Sequence, residues 1–118
     1  MSEILIRRRQ REVELTLHTA TSLATTINLG DMAGGVVSFG TMDTNAATLQ
    51  MFGSGDADAQ FRRVYDSSGA AADVTLSPSS TDGRIYSLPD AVFALSYLKI
   101  VSGGTNSTGT AGIVSLKS

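Results

Sequence analysis

The sequence contains no cysteine and no tryptophan, and its only histidine is His18. Without cysteine the chain can form neither a disulfide nor a thiolate metal site, and it has no thiol nucleophile. A single histidine cannot build a zinc site alone, and there is no G-x-S-x-G motif to hold a serine nucleophile. We therefore interpret His18 as a surface residue of a strand, and we expect a non-enzymatic protein without cofactor or metal.

Long hydrophobic runs are missing as well. No segment approaches the ~20 consecutive apolar residues that a membrane helix needs. The short run Ile4-Leu5-Ile6 lies before the positive charges of residues 7–11, whereas the apolar region of a secretory signal follows its positive charges. The sequence therefore predicts no membrane partner.

The length and composition nevertheless suit a folded domain. A chain of 118 residues with 42% hydrophobic residues can bury a modest single core, so we expect one domain and not a disordered chain. Aromatic residues are few, with three tyrosines and four phenylalanines. The core is therefore expected to consist mainly of Val, Leu and Ile.

Apolar and polar residues alternate repeatedly along the chain, and this period of two predicts β-strands. The twelve glycines argue against long helices, because each weakens a helix by ~1 kcal/mol relative to alanine. We expect one short helical turn, over residues 88–95. The predicted strands cover residues 12–18, 25–29, 35–41, 48–52, 60–65, 72–76, 84–88, 96–102 and 111–117.

A tight turn is predicted at Asp66-Ser67-Ser68-Gly69. An aspartate at the first position of a type I turn can accept hydrogen bonds from the backbone, and glycine tolerates the positive φ that follows. The strands on either side therefore read as a hairpin over residues 60–76.

Eight or nine short strands, at a spacing of roughly 8–12 residues, are typical of an all-β sandwich or barrel. We expect a single antiparallel β-sandwich over residues 12–118, with a jelly roll as the preferred topology. An immunoglobulin-like sandwich is the alternative, and it lacks its Cys and Trp landmarks here. The predicted inward-facing residues are Val37, Phe39, Val74, Leu76, Leu98, Ile100, Val114 and Leu116.

The first eleven residues differ from the rest in charge. Residues 1–11 contain four arginines, whereas residues 12–118 contain five Lys/Arg against ten Asp/Glu. We interpret residues 1–11 as an extended N-terminal arm that binds an acidic protein surface, such as a neighbouring subunit. A solvated tail is the alternative; nucleic acid is not expected, because no aromatic residues are interleaved to stack on bases. The predicted binding residues are Ile4, Leu5, Ile6, Arg7, Arg8, Arg9 and Arg11.

One acidic loop could hold a cation. Asp56 and Asp58 lie two residues apart among glycines, and calcium binds oxygen ligands. Two carboxylates are few for such a site, and no glutamate follows at the distance of an EF-hand. A solvated loop is the preferred interpretation, and calcium is the alternative.

Four segments resemble a class of small tailed-phage virion proteins. They are Ile27-Asn28-Leu29-Gly30, the stretch from Phe61 to the turn at residues 65–69, residues 95–103 (LSYLKIVSG), and residues 113–117 (IVSLK). The resemblance spans residues 25–117 and departs from the family pattern in the loop at residues 53–59. It implies a jelly-roll or related β-sandwich that decorates or cements capsids, or lies in tails and fibres, and it carries no catalytic residues.

These observations together predict a structural function. We expect a bacteriophage capsid cement or decoration protein that binds the major capsid protein lattice and stabilises the head. It would be a homo-oligomer, with a trimer favoured, on the capsid surface of a virion assembled in the host cytoplasm. The alternative is a tail or fibre module that recognises a host-surface carbohydrate or another tail protein. Sugar sites usually use aromatic side chains, and the tyrosines available are Tyr65, Tyr86 and Tyr97.

Overall fold

The computed structural model describes residues 10–43, 48–55, 60–104 and 109–118. These residues form nine strands and two short 3-10 helical turns, at Thr21–Leu23 and Asp90–Ala94. Neither turn has the length and hydropathy of a membrane-spanning helix. The all-β prediction and the helical turn expected within residues 88–95 are confirmed. The strands are β1 Gln10–Thr16, β2 Ile27–Asn28, β3 Gly34–Phe39, β4 Thr48–Ser54, β5 Arg62–Arg63, β6 Val74–Thr75, β7 Arg84–Ser87, β8 Tyr97–Ser102 and β9 Ala111–Lys117.

Two antiparallel sheets form a sandwich. One sheet has the order β1-β9-β3-β7, and the other has the order β2-β8-β4-β5 with β6 also pairing with β4. Successive strands lie in opposite sheets, except that β5 and β6 stay in the same sheet as β4. This is the strand order of a jelly roll, as predicted. An immunoglobulin-like sandwich places its first two strands in one sheet, whereas β1 and β2 lie in different sheets.

The core lies between the two sheets. All eight predicted inward-facing residues are buried, with exposed fractions between 0% and 9%. Alternation explains this result, because successive side chains of a strand point to opposite faces. On β8, for example, Leu98 and Ile100 are buried while Tyr97 and Lys99 are half-buried on the other face.

One inward-facing position requires glycine. Gly112 of β9 lies between Leu15 of β1 and Phe39 of β3. A Cβ atom at Gly112 would lie 2.5 Å from Cε1 of Phe39 and 3.0 Å from the carbonyl oxygen of Ser38. The absence of a side chain therefore lets the Phe39 ring pack over the backbone of β9.

One edge of the five-stranded sheet is an interrupted strand. Arg63 of β5 pairs with Phe52 of β4, and Val74 of β6 pairs with Leu49 further along the same strand. Between them, residues 65–72 leave the sheet as a small hairpin, which we call the excursion. At its base the N–H of Ala72 donates to the carbonyl of Val64 at 2.9 Å. The predicted hairpin over residues 60–76 therefore forms only at its tip, because both of its flanks pair with β4.

We expect Leu98→Ala to lower the free energy of unfolding by about 2–5 kcal/mol, because it empties a fully buried site. The matched control is Ile85→Ala, which removes a side chain that is 68% exposed and should change stability by less than about 0.5 kcal/mol. Urea unfolding followed by circular dichroism measures both values. Equal losses at the two positions would contradict the assignment of the inward face.

Candidate docking surfaces

The predicted arm meets the sandwich at β1. Residues 1–9, which include Ile4, Leu5, Ile6, Arg7, Arg8 and Arg9, lie outside the described residues. Gln10 and Arg11 are the first two residues of β1 and pair with Lys117 and Leu116 of β9. Strand pairing therefore extends two residues into the segment that the sequence assigned to the arm.

Arg11 has a contact within the sandwich. It is half-buried, and its Nη1 donates a hydrogen bond to the backbone carbonyl of Asn28. Arg11 belongs to the edge strand of one sheet, and Asn28 belongs to the edge strand of the other. The guanidinium therefore links the two sheets at this edge, whereas the sequence predicted a partner-binding role for it.

The outer side of the four-stranded sheet carries exposed apolar residues, and we call it the isoleucine face. Strand pairing places Glu14, Ile113, Ser38 and Ile85 in one row across the sheet. Ile85 is 68% exposed and Ile113 is 42% exposed, and Val36 is half-buried in the next row. Single exposed apolar residues are ordinary, but two in one row form a patch that suits contact with a partner.

Two hollows flank the row of isoleucines. One has a volume of about 700 Å³ and is lined by residues that include Thr16, Ser38 and Ala111. The other has a volume of about 510 Å³ and is lined by residues that include Gly34 and Ser115. Small outward residues leave this space unfilled, namely Ser38 and Ala111 at the first hollow and Gly34 and Ser115 at the second.

The β1 edge of the isoleucine face is acidic. Glu12 and Glu14 are exposed on β1, and neither has an ion-pair or hydrogen-bond partner within the described ranges. Residues two apart on a strand repeat every ~6.4–6.8 Å on the same face. The edge therefore presents two exposed carboxylates at a fixed spacing.

The outer side of the five-stranded sheet has different chemistry, and we call it the aromatic face. Tyr97, Phe52 and Phe61 are half-buried there. Lys99 places its Nζ 4.7 Å from the centroid of the Phe61 ring and donates to the carbonyl of Thr21 at 3.0 Å. The ammonium group therefore ties the β1–β2 connection to this face and combines a cation–π contact with a hydrogen bond.

An ion pair lies at the base of the excursion. Arg63 donates to the carboxylate of Asp73, and both side chains are partly buried. Arg63 Nε and Asp73 Oδ1 are buried and have no hydrogen-bond partner among the described residues. The pair therefore holds together the two points at which the excursion leaves and rejoins the sheet, although its hydrogen-bonding capacity is not filled.

The tip of the excursion is the predicted turn. The N–H of Gly69 donates to the carbonyl of Asp66 at 3.0 Å, and Gly69 has a φ of 85°. Oδ1 of Asp66 accepts hydrogen bonds from the Ser68 hydroxyl at 2.6 Å and from the N–H groups of Ser68 and Ala70. The hydroxyl of Ser68, followed by the N–H of Ala70, lowers the pKa of the Asp66 carboxyl below its ordinary value.

The sequence also singled out His18 and the acidic loop with Asp56 and Asp58. His18 is half-buried beside the first hollow, and its carbonyl accepts a hydrogen bond from the N–H of Ser102 at 2.9 Å. Asp56 and Asp58 lie outside the described residues. Within the described part of the chain, no group of three or more His, Cys, Asp or Glu side chains could hold a metal ion.

Sequence reasoning did not single out the isoleucine face. A signal was present, because Ile113 lies in the outward phase of β9, between Gly112 and Val114. The outward orientation of Ile85 was harder to predict, because β7 has only four residues. Pairing with β3 decides which of its side chains face outward.

We expect the Asp66 carboxyl to titrate below its ordinary pKa of ~3.9. A lowered pKa in the folded state means that the carboxylate stabilises the turn above pH ~4 and loses this effect as the pH falls through the folded-state pKa. NMR chemical shifts of the Ser68 and Ala70 amide protons, followed from pH 6 to pH 2, measure the midpoint. Asp66→Asn should abolish the transition, and a midpoint at or above 3.9 in the unaltered chain would contradict the hydrogen-bond assignment.

Neither a scan against protein-family models nor comparisons with curated proteins and with solved structures found a match to this chain.

Proposed function

We propose that this chain is a non-enzymatic structural protein of a bacteriophage virion. It acts as a cement or decoration protein that binds the lattice of the major capsid protein and stabilises the head. It functions as a homo-oligomer on the capsid surface. The resemblance of residues 25–117 to small virion proteins motivates this proposal, and the following features support it.

The observation that carries the proposal is the position of β1. This strand is the edge of a sandwich whose buried core cluster draws on residues from Leu15 to Leu116. Residues 1–9, with Ile4-Leu5-Ile6 and Arg7-Arg8-Arg9, come immediately before this edge strand in the sequence and lie outside the described residues. A segment of nine residues can extend about 30 Å, which is enough to reach a neighbouring subunit.

The chemistry of the arm suits attachment to protein. Arginine forms charge-assisted, bidentate hydrogen bonds to carboxylates, and three consecutive arginines offer several such contacts. The apolar residues before them can bury surface at the same site. A jelly roll is also a recurrent architecture of viral capsid proteins, although a fold supports a function only by analogy.

We expect the full chain to co-sediment with procapsids or with mature particles that lack the protein. Replacing Arg7, Arg8 and Arg9 together by Gln should weaken this binding by roughly 10- to 100-fold, as expected for the loss of three contacts of about 0.5–1 kcal/mol each. Binding by the unaltered chain should weaken as salt rises, because salt screens exposed charges.

The matched control is Arg62→Gln with Arg84→Gln, which removes exposed positive charges outside the arm. This variant should bind particles like the unaltered chain. No co-sedimentation of the unaltered chain would refute the proposed function. Undiminished binding by the triple arginine variant would refute the anchoring role of the arm.

The aromatic face favours a second candidate function, namely a tail or fibre module that binds carbohydrate. Tyr97 and Phe52 lie beside Gln50 and Arg63, so stacking groups and hydrogen-bonding groups share one surface. If this candidate is right, calorimetric titration with bacterial surface oligosaccharides should show binding, and Tyr97→Ala should abolish it. Tyr65→Ala is the matched control, because Tyr65 is exposed on the excursion. Binding to sugars without binding to particles would favour this candidate.

A further inference from the structure

We propose that the isoleucine face of one copy of this chain binds the arm of a second copy. This inference deepens the proposed function, because it names the surface through which the homo-oligomer forms. The occupant is residues 1–9 of a neighbouring copy, and the acceptor is the outer side of the four-stranded sheet. The arm then strengthens particle binding by joining copies of this chain into one oligomer that binds at several points.

The charges of the two partners are complementary. The face presents Glu12 and Glu14 along β1, and the arm presents Arg7 and Arg9 at the same separation in sequence. In an extended chain both pairs therefore have the same spacing of ~6.4–6.8 Å. An extended arm running beside β1 can place one guanidinium on each carboxylate.

The apolar residues are complementary as well. Ile113 lies directly opposite Glu14 on the neighbouring strand, and Ile85 lies in the same row. The arm carries Ile4-Leu5-Ile6 immediately before its arginines. An arm that runs beside β1 with its arginines on the acidic edge therefore has its apolar residues within reach of Ile113, one strand away, and of the hollow that Glu14 and Ile113 line, whereas Ile85 lies three strands from β1.

The course of the chain favours binding to another copy over binding to its own face. Gln10, the first described residue, begins β1 opposite Lys117, the last residue of β9, and β1 runs from that end of the sheet toward Thr16. Contact with its own face requires an immediate reversal of direction. Residues 3–11 contain none of Gly, Pro, Asn, Asp and Ser, the residues that favour turns. The β-favouring Ile4-Leu5-Ile6 supports an extended arm instead.

The resulting contact joins different surfaces of the two copies. An arm of one copy on the face of the next is a heterologous contact, which closes into a ring if the rotation between copies allows it. Every copy then donates one arm and accepts one. A trimeric ring satisfies this pattern.

A charge exchange in the full chain tests the proposal in solution, without particles. Variant X carries Arg7→Glu, Arg8→Glu and Arg9→Glu, and variant Y carries Glu12→Arg and Glu14→Arg. Each variant alone opposes like charges, so its self-association should weaken by at least about 100-fold relative to the unaltered chain. In an equimolar mixture every contact between X and Y has opposite charges, so the mixture should associate again into X–Y pairs and alternating chains, since a ring of three copies cannot alternate X and Y. Sedimentation velocity measures the association.

A second variant controls for general attraction between oppositely charged proteins. Asp82→Arg with Asp90→Arg changes the net charge as Y does, but at exposed positions outside the acidic edge. This variant should associate with itself like the unaltered chain, and it should associate with X only as the unaltered chain does, through its own arm on the acidic edge of X. A cooperative thermal unfolding transition in every variant shows that each is folded.

The apolar part of the contact has its own test. Ile113→Ser with Ile85→Ser should reduce self-association by at least about tenfold through the loss of buried apolar area, while leaving the charges unchanged. An unaltered chain that is monomeric at ~1 mM, or a mixture of X and Y that stays monomeric, overturns the proposal. Particle binding by a chain that is monomeric in solution would overturn this inference and the proposed homo-oligomer while leaving the capsid-binding function intact.

Discussion

The pairing of β9 with strands on both of its sides is the interaction on which the rest of the structure depends. Its inward residues form the middle of the core, and Gly112 admits the Phe39 ring from β3. Because β9 also fixes the register of β1, it sets the phase in which Glu12 and Glu14 face outward with Ile113. The acidic edge and the exposed isoleucines thus follow from one strand.

Much of the fold could be predicted from the sequence, because the alternation of apolar and polar residues indicates both where a strand lies and which of its sides is buried. Val37, Leu98 and Val114 were assigned inward by this pattern and are fully buried. The partners of β5 and β6 could not be predicted, since nothing local shows that both flanks of a turn pair with β4. The link from Arg11 to Asn28 joins residues far apart in the sequence, and composition alone assigned Arg11 to the arm.

The two outer faces of the sandwich differ in their side-chain chemistry, and the amino-acid composition of the whole chain does not show this difference. One face combines exposed isoleucines, small polar side chains and exposed carboxylates, whereas the other combines aromatic rings with Lys99 and Arg63. The net charge of −2 averages over these faces and over the basic arm. A partner that approaches one side therefore meets chemistry unlike that of the other side, and this asymmetry gives the molecule an orientation on any surface to which it binds.

The excursion at residues 65–72 separates two strand segments that both stay paired with β4. The backbone bridge between Tyr65 and Ala71 and the bonds to Asp66 close it without help from the sandwich. Its length is therefore decoupled from the register of the sheet. A foreign peptide that replaces the turn at residues 66–69 would project outward while the bridge between Tyr65 and Ala71 and the pairing of β5 and β6 with β4 kept the base in place, which makes this loop a natural position for displaying an epitope or a tag.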